Sequence, residues 1–194
     1  MGNNTHEKFK QRSISNDNMS SDEYKDFCSS FISNIRLFTD GCIYVFGPQG
    51  PEGRVIFTEL DNQYHCSTTI VWVKDNHVLG RAKYHNKYEP CWFGWVESGK
   101  SFVDDRTLNN VWECKRPKKS GLHPTMKPIE ICEKAITEAS KKSVADLFGG
   151  SGSTLIACEK TNRKCFMLEI DPHYCDVILK RYEDYSGKEA KLSE

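Results

Sequence analysis

Residues Val144-Ala145-Asp146-Leu147-Phe148-Gly149-Gly150-Ser151-Gly152-Ser153-Thr154 read as a strand, a tight turn and the start of a helix, and Glu169 follows nineteen residues after Gly150. No other segment constrains the fold as much, because a strand that enters a helix through small residues is the repeating unit of a parallel α/β sheet. Small residues at 149 to 153 let backbone N–H groups turn around a ligand at a helix N-terminus. An acidic side chain ending the next strand can then hold two ribose hydroxyls. The cassette predicts a nucleotide-cofactor pocket, although by itself it also fits a plain strand-to-helix connection.

The rest of the chain arranges itself around that unit. Residues 1 to 20 are polar and aperiodic and are expected to form a loose arm. A helix is predicted from Ser20 or Ser21, with Asp22 and Glu23 in its first turn, one apolar face of Phe27, Phe31, Ile35 and Phe38, and a stop at Gly41. Strands are predicted at 42–46, 68–73 and 89–95, a weaker helix at 52–62, and an exposed basic loop at 76–87. Residues 97–125 read as an irregular basic insertion with Val111-Trp112 as its apolar anchor, which makes 21–194 one domain interrupted by a long loop. Beyond it, a helix opening at Pro128, a strand (143–148), a helix (153–160), a strand (164–169) and a helix (172–185) give a β-α-β-α order with parallel strands.

Charge and cysteine usage narrow the function classes. Lys plus Arg and Asp plus Glu number 27 each, so no global positive field draws in nucleic acid, and any such binding rests on local patches at Lys74 to Lys87 and Lys115 to Lys127. Nine scattered cysteines without a C-x-x-C pair read as reduced thiols of a cytoplasmic protein, and their spacing argues against zinc. No run approaches the length of a membrane span. Trp72, Trp92 and Trp95 are expected in the core or half-buried at its edge rather than stacked on bases.

Three strings in order, His123-Pro124-Thr125-Met126-Lys127-Pro128, Asp146 to Thr154, and Glu169-Ile170-Asp171-Pro172, resemble the C-terminal half of S-adenosylmethionine-dependent DNA amino-methyltransferases. These enzymes methylate adenine N6 or cytosine N4, here in the permuted order with the catalytic motif ahead of the cofactor motifs. Weaker likeness runs upstream through Val111-Trp112-Glu113, Tyr88-Glu89-Pro90 and Ile70 to Lys74.

The resemblance implies a Rossmann-like α/β fold and S-adenosylmethionine as cofactor. Gly149, Gly150, Ser151 and Gly152 would pass under its methionine portion, with Thr154 just beyond; Asp146 would lie near its ammonium and Phe148 beside its chain. Glu169 would hold the ribose, with Asp171 next to it, and His123, Pro124 and Lys127 would line the opposite side. Double-stranded DNA is the implied partner, contacted by Arg81, Lys83 and Lys87 and by Lys115, Arg116, Lys118 and Lys119. A dinucleotide oxidoreductase is disfavoured because no second nucleotide-binding half is present.

One family feature is absent. The target base is flipped out and received by a Pro-Pro-Tyr motif led by Asp, Asn or Ser, yet the 194 residues contain no Pro-Pro pair. Asp171-Pro172-His173-Tyr174 is a decoy, expected to open a helix. The resemblance therefore implies an N-terminally shortened methyltransferase with an incomplete sheet lacking its central catalytic-motif strand, in which no catalytic residue can be named. Either its activity is lost and a cofactor- or DNA-binding remnant is left, or a separate polypeptide supplies the strand; self-association is compatible with both.

Overall fold

A computed structural model describes residues 18–77, 83–96, 105–117, 126–139 and 142–193. The first helix, α1 (Ser21–Phe38), begins where its capping chemistry places it: the Ser20 hydroxyl accepts from the Glu23 N–H at 3.3 Å, and the Glu23 carboxylate accepts from the Ser20 N–H at 2.7 Å. Its buried stripe is Cys28, Ile32 and Ile35, one position round from the expected Phe27, Phe31, Ile35 and Phe38. The smaller residues face the neighbouring helix α2 (Pro51–Gln63), and the Phe27 and Phe31 rings lie at the rim. Phe38, the last helical residue, is 68% exposed, and Thr39 rather than Gly41 caps the end.

Four strands form one sheet in the order β1-β3-β2-β4. They are β1 (Cys42–Phe46), β2 (His65–Val73), β3 (Tyr88–Trp95) and β4 (Val111–Glu113). β3 pairs antiparallel with both β1 and β2, while β4 runs parallel to β2 and sets Trp112 opposite Trp72. Part of the segment expected to be irregular is thus a strand, too short to show a period in the sequence. It is pinned by the Trp72 indole, which donates to the Cys114 carbonyl at 2.9 Å.

Both faces of this sheet are covered. Ile43 and Trp92 pack on Ile32, Ile56 and Leu60 of α1 and α2. On the other face Ile70, Trp72, Cys91, Phe93 and Trp112 meet Ile131 of α3 (Ile129–Ala139). Trp72 and Trp92 are core residues, as expected, and Trp95 is half-buried.

The C-terminal part is a second sheet of two parallel strands, β5 (Ser143–Asp146) and β6 (Lys164–Met167), joined through α4 (Ser153–Lys160) and followed by α5 (Pro172–Ser186). β5 is shorter than predicted because the Asp146 side chain accepts from the Phe148 N–H at 3.0 Å and starts the turn. Val144 and Cys165 pack on Ile136, Ala157 and Cys158. Among the described residues β1 pairs only with β3 and β5 only with β6, so the molecule is α/β with a partial mixed sheet in two pieces. No helix among the described residues is long and apolar enough to cross a membrane.

Candidate functional site

The carboxyl ends of β1 and β5 come together at Lys127. Its ammonium sits 4.8 Å from the centre of the Phe46 ring, and its carbonyl accepts from the Ser153 hydroxyl at 2.9 Å. Ligands of parallel α/β sheets collect at such an edge. The turn beyond β5 lies there.

Gly149 is tightly packed: a Cβ there would stand 2.8 Å from the Met167 sulfur and 3.0 Å from Ile178 Cδ1, so those side chains would have to shift. Its N–H donates to the Leu168 carbonyl at 2.8 Å, and its own carbonyl accepts from the Gly152 N–H at 2.8 Å, which closes the turn. Gly152 caps α4 in the left-handed region, φ 76°, where an L side chain is strained. The turn is tied to the second strand by Glu169, whose two oxygens accept from the Gly150 N–H at 2.6 Å and the Asp171 N–H at 2.9 Å. A carboxylate offers about four acceptor positions, so about two remain for another donor.

Asp146 lies beside this turn. Burial pushes its carboxyl above the ordinary value, partly offset by the Thr154 hydroxyl, the Phe148 N–H and the charge of Lys127. A half-buried acid held in this way favours a cation as neighbour.

Several expected site residues are committed to the protein itself. Ser151 is buried, and its carbonyl and hydroxyl accept from Arg181 at 2.6 and 3.2 Å. Asp171 caps α5 by accepting from the His173 N–H at 2.9 Å, so the Asp171-Pro172 string does open a helix. Phe148 is 55% exposed and packs edge-on against Phe31 and Phe27, with centroids 5.2 and 6.0 Å apart. His123, Pro124, Arg81, Lys118 and Lys119 lie outside the described residues, as does most of the predicted arm.

Lys83, Lys87, Lys115 and Arg116 are exposed. Lys87 and Lys115, far apart in sequence, line one cavity of about 340 Å³ together with Lys74, Asp75 and Glu113. The Asp75 carboxylate accepts from the Arg116 N–H at 3.0 Å. The cavity is of mixed charge rather than a cationic stripe.

Two residues near the site, Lys74 and Arg181, went unrecognised in the sequence. Lys74, grouped there with a basic patch, is 8% exposed and paired with Glu89 at 2.7 Å. The period of two carried the signal, since Ile70 and Trp72 are buried and position 74 continues their face. Arg181 follows Tyr174 and Ile178 on the inner side of α5, at helical spacing.

The chain is similar to known DNA methyltransferases. The profile of the N6/N4 methyltransferases, described as DNA methylase, matches residues 95–180. That match spans less than half of the chain's 194 residues. The chain is 30% identical over 123 residues to the type II methyltransferase M2.LlaDCHI of Lactococcus lactis subsp. cremoris, covering 60% of this chain and 42% of that protein. It is also 26% identical over 125 residues to M2.DpnII of Streptococcus pneumoniae, covering 61% of this chain and 43% of the relative. The chain therefore spans less than half the length of these two curated relatives.

Two solved structures share the fold. M1.HpyAVI in complex with SAM aligns with a TM-score of 0.66 at 23% identity, covering 78% of this chain and 80% of that one. The cytosine-N4-specific PvuII DNA methyltransferase aligns at 0.69 and 18% identity, covering 94% of this chain and 77% of that one.

Proposed function

We propose that this chain carries the cofactor-binding part of a site-specific DNA amino-methyltransferase of the type II kind. The observation that carries this reading is the turn at 149–152, joined to Glu169 and flanked by the half-buried Asp146 at the carboxyl ends of two parallel strands. S-adenosylmethionine, when bound, supplies an electrophilic methyl group. The residues present suit it. Glu169 keeps acceptor capacity for ribose hydroxyls, Asp146 offers a carboxylate to the methionine ammonium, and Lys127 is a cation within reach of a carboxylate. The Gly149–Gly152 turn admits close backbone approach.

Double-stranded DNA is the proposed partner, with Lys87 and Lys115 meeting phosphates from either side of the 340 Å³ cavity. The acceptor is the exocyclic amine of adenine or cytosine. Its lone pair is delocalised into the ring, so acceptors that bind its N–H groups are needed.

Among the described residues β1 is hydrogen-bonded only to β3 and β5 only to β6, which favours a second element of this reading. A strand set between them would satisfy two rows of backbone groups and bring an acceptor-binding motif to the edge where Lys127 lies. Because no Pro-Pro pair occurs in the 194 residues, this polypeptide alone is expected to bind cofactor without transferring methyl.

Calorimetric titration tests the first part. S-adenosylhomocysteine binds and NAD does not; NAD binding with no response to the methyl-donor product overturns the proposal. Transfer of labelled methyl to unmethylated DNA tests the second. Incorporation by this polypeptide alone would show that the acceptor site is complete within it.

A further inference from the structure

The most extended charge network outside the turn lies between the two sheets. Lys74, at the carboxyl end of β2, is 8% exposed; its ammonium is 2.7 Å from one Glu89 oxygen and 5.2 Å from the centre of the Trp72 ring. The other Glu89 oxygen is 3.4 Å from the Lys127 ammonium. From Lys127 the contacts run on, through its carbonyl, to the Ser153 hydroxyl at 2.9 Å. Ser153 is buried at the first position of α4, and its hydroxyl also accepts from Arg181 at 3.4 Å. One contiguous series of polar contacts thus begins in the four-stranded sheet and ends at the residue that follows Gly152.

We propose that Glu89, held by Lys74, is a positioning residue: it fixes Lys127 and thereby the start of α4, so that the shape of the 149–152 turn depends on a carboxylate in the opposite sheet.

Three features make this more than a surface ion pair. Lys74 is buried, and a buried ammonium needs its partner, so Glu89 has one favoured place. Lys127 is restrained at both ends, by Glu89 and Phe46 at its ammonium and by Ser153 at its carbonyl. Among the described residues Glu89 makes no hydrogen bond to the turn itself, so its route to Gly150 and Gly152 runs through Lys127. Burial works to raise the Glu89 carboxyl, but the two lysines outweigh it and hold the group below its ordinary value, charged at neutral pH.

The inference takes its ligand from the cofactor reading but its geometry from the contacts alone, and the test separates the two. Amide hydrogen exchange of segment 149–160 is measured without ligand for the wild type, Glu89→Gln, Glu89→Asp and Lys127→Met. S-adenosylhomocysteine affinity and melting temperature are measured alongside. Lys127→Met leaves the Lys74–Glu89 pair intact, so it decides the matter should Glu89→Gln fail to fold.

Lys127→Met and Glu89→Gln are expected to speed exchange at 149–154 by about tenfold and to weaken the analogue by a similar factor. That is the scale of one partly exposed charge-assisted bond. Glu89→Asp stays within about threefold, because the charge remains. If both charge-removing variants exchange at the wild-type rate in 149–154, the proposal is overturned whatever the affinities. If exchange responds while the wild type itself fails to bind the analogue, positioning stands and the cofactor reading falls.

Discussion

The two sheets of this protein are built to different standards of burial. The four-stranded sheet is sandwiched, with Trp92 at 1% and Trp72 at 2% exposure on opposite faces. Among the described residues the two-stranded sheet is covered on one face only; on the other, Phe166 and Leu168 are 64% and 63% exposed. Yet the less buried sheet carries the turn, Asp146 and Glu169. Stability and chemistry are therefore divided between regions, and the site is held less by a core beneath it than by polar ties, from Arg181 on one side and Lys127 on the other.

The sharpest test of that contrast is a pair of substitutions. Trp92→Ala removes a fully buried indole and its 2.7 Å bond to Asp61, and is expected to cost about 3–5 kcal/mol, enough to unfold a marginal domain. Gly149→Ala places a methyl against Met167 and Ile178 and should cost about 1–3 kcal/mol, with loss of analogue binding. Denaturant titration of both variants checks the order. If Gly149→Ala proved the more damaging to stability, the division between the sheets would be wrong.

Arg181→Met comes next, at about 1–3 kcal/mol, because the Ser151 carbonyl and hydroxyl lose a half-buried donor. Analogue affinity should fall with it, as the turn loosens. An unchanged affinity would mean that the turn is held from the Glu169 side alone.

What could be read from the sequence divides along the same line. The cassette was legible because glycine positions, a capping acid and strand-helix alternation are local, and local chemistry survives without tertiary information. α4 runs over the predicted residues, and α5 begins at the predicted Pro172. β4 was hidden because three residues paired to a strand some forty positions away leave no period behind. The face of α1 came out one residue off, since large rings at 27 and 31 mimic a core stripe while the smaller Cys28 and Ile32 are what the packing buries. Lys74 looked like part of a basic patch because its burial is explained only by its partner Glu89, fifteen positions away.

Two acids with opposite displacements give a pH test. Glu89 is held below its ordinary value, so its contribution is present above the unfolded value and is lost as pH falls through the folded one. Asp146 is raised, so its protonated form favours folding and that contribution is lost as pH rises through its folded value. Asp146→Asn is therefore expected to gain stability relative to wild type as pH rises from the acid range to neutrality. Glu89→Gln should instead fall further behind over the same range. Melting temperatures across that range check both signs, and parallel curves would refute the assignment of either shift.

The smallest effect is predicted on the uncovered face. Phe166→Ser removes an aromatic ring that is mostly in water already, so stability should change within about 0.5 kcal/mol, as for a surface substitution. The same change at buried Phe93, 9% exposed against Ile70 and Trp112, should cost several times more. Both residues are phenylalanines on strands, so the difference isolates burial from residue type. A loss of stability at Phe166 equal to that at Phe93 would mean that something in solution covers the β5–β6 face, and that the two sheets are less unlike than their exposures state.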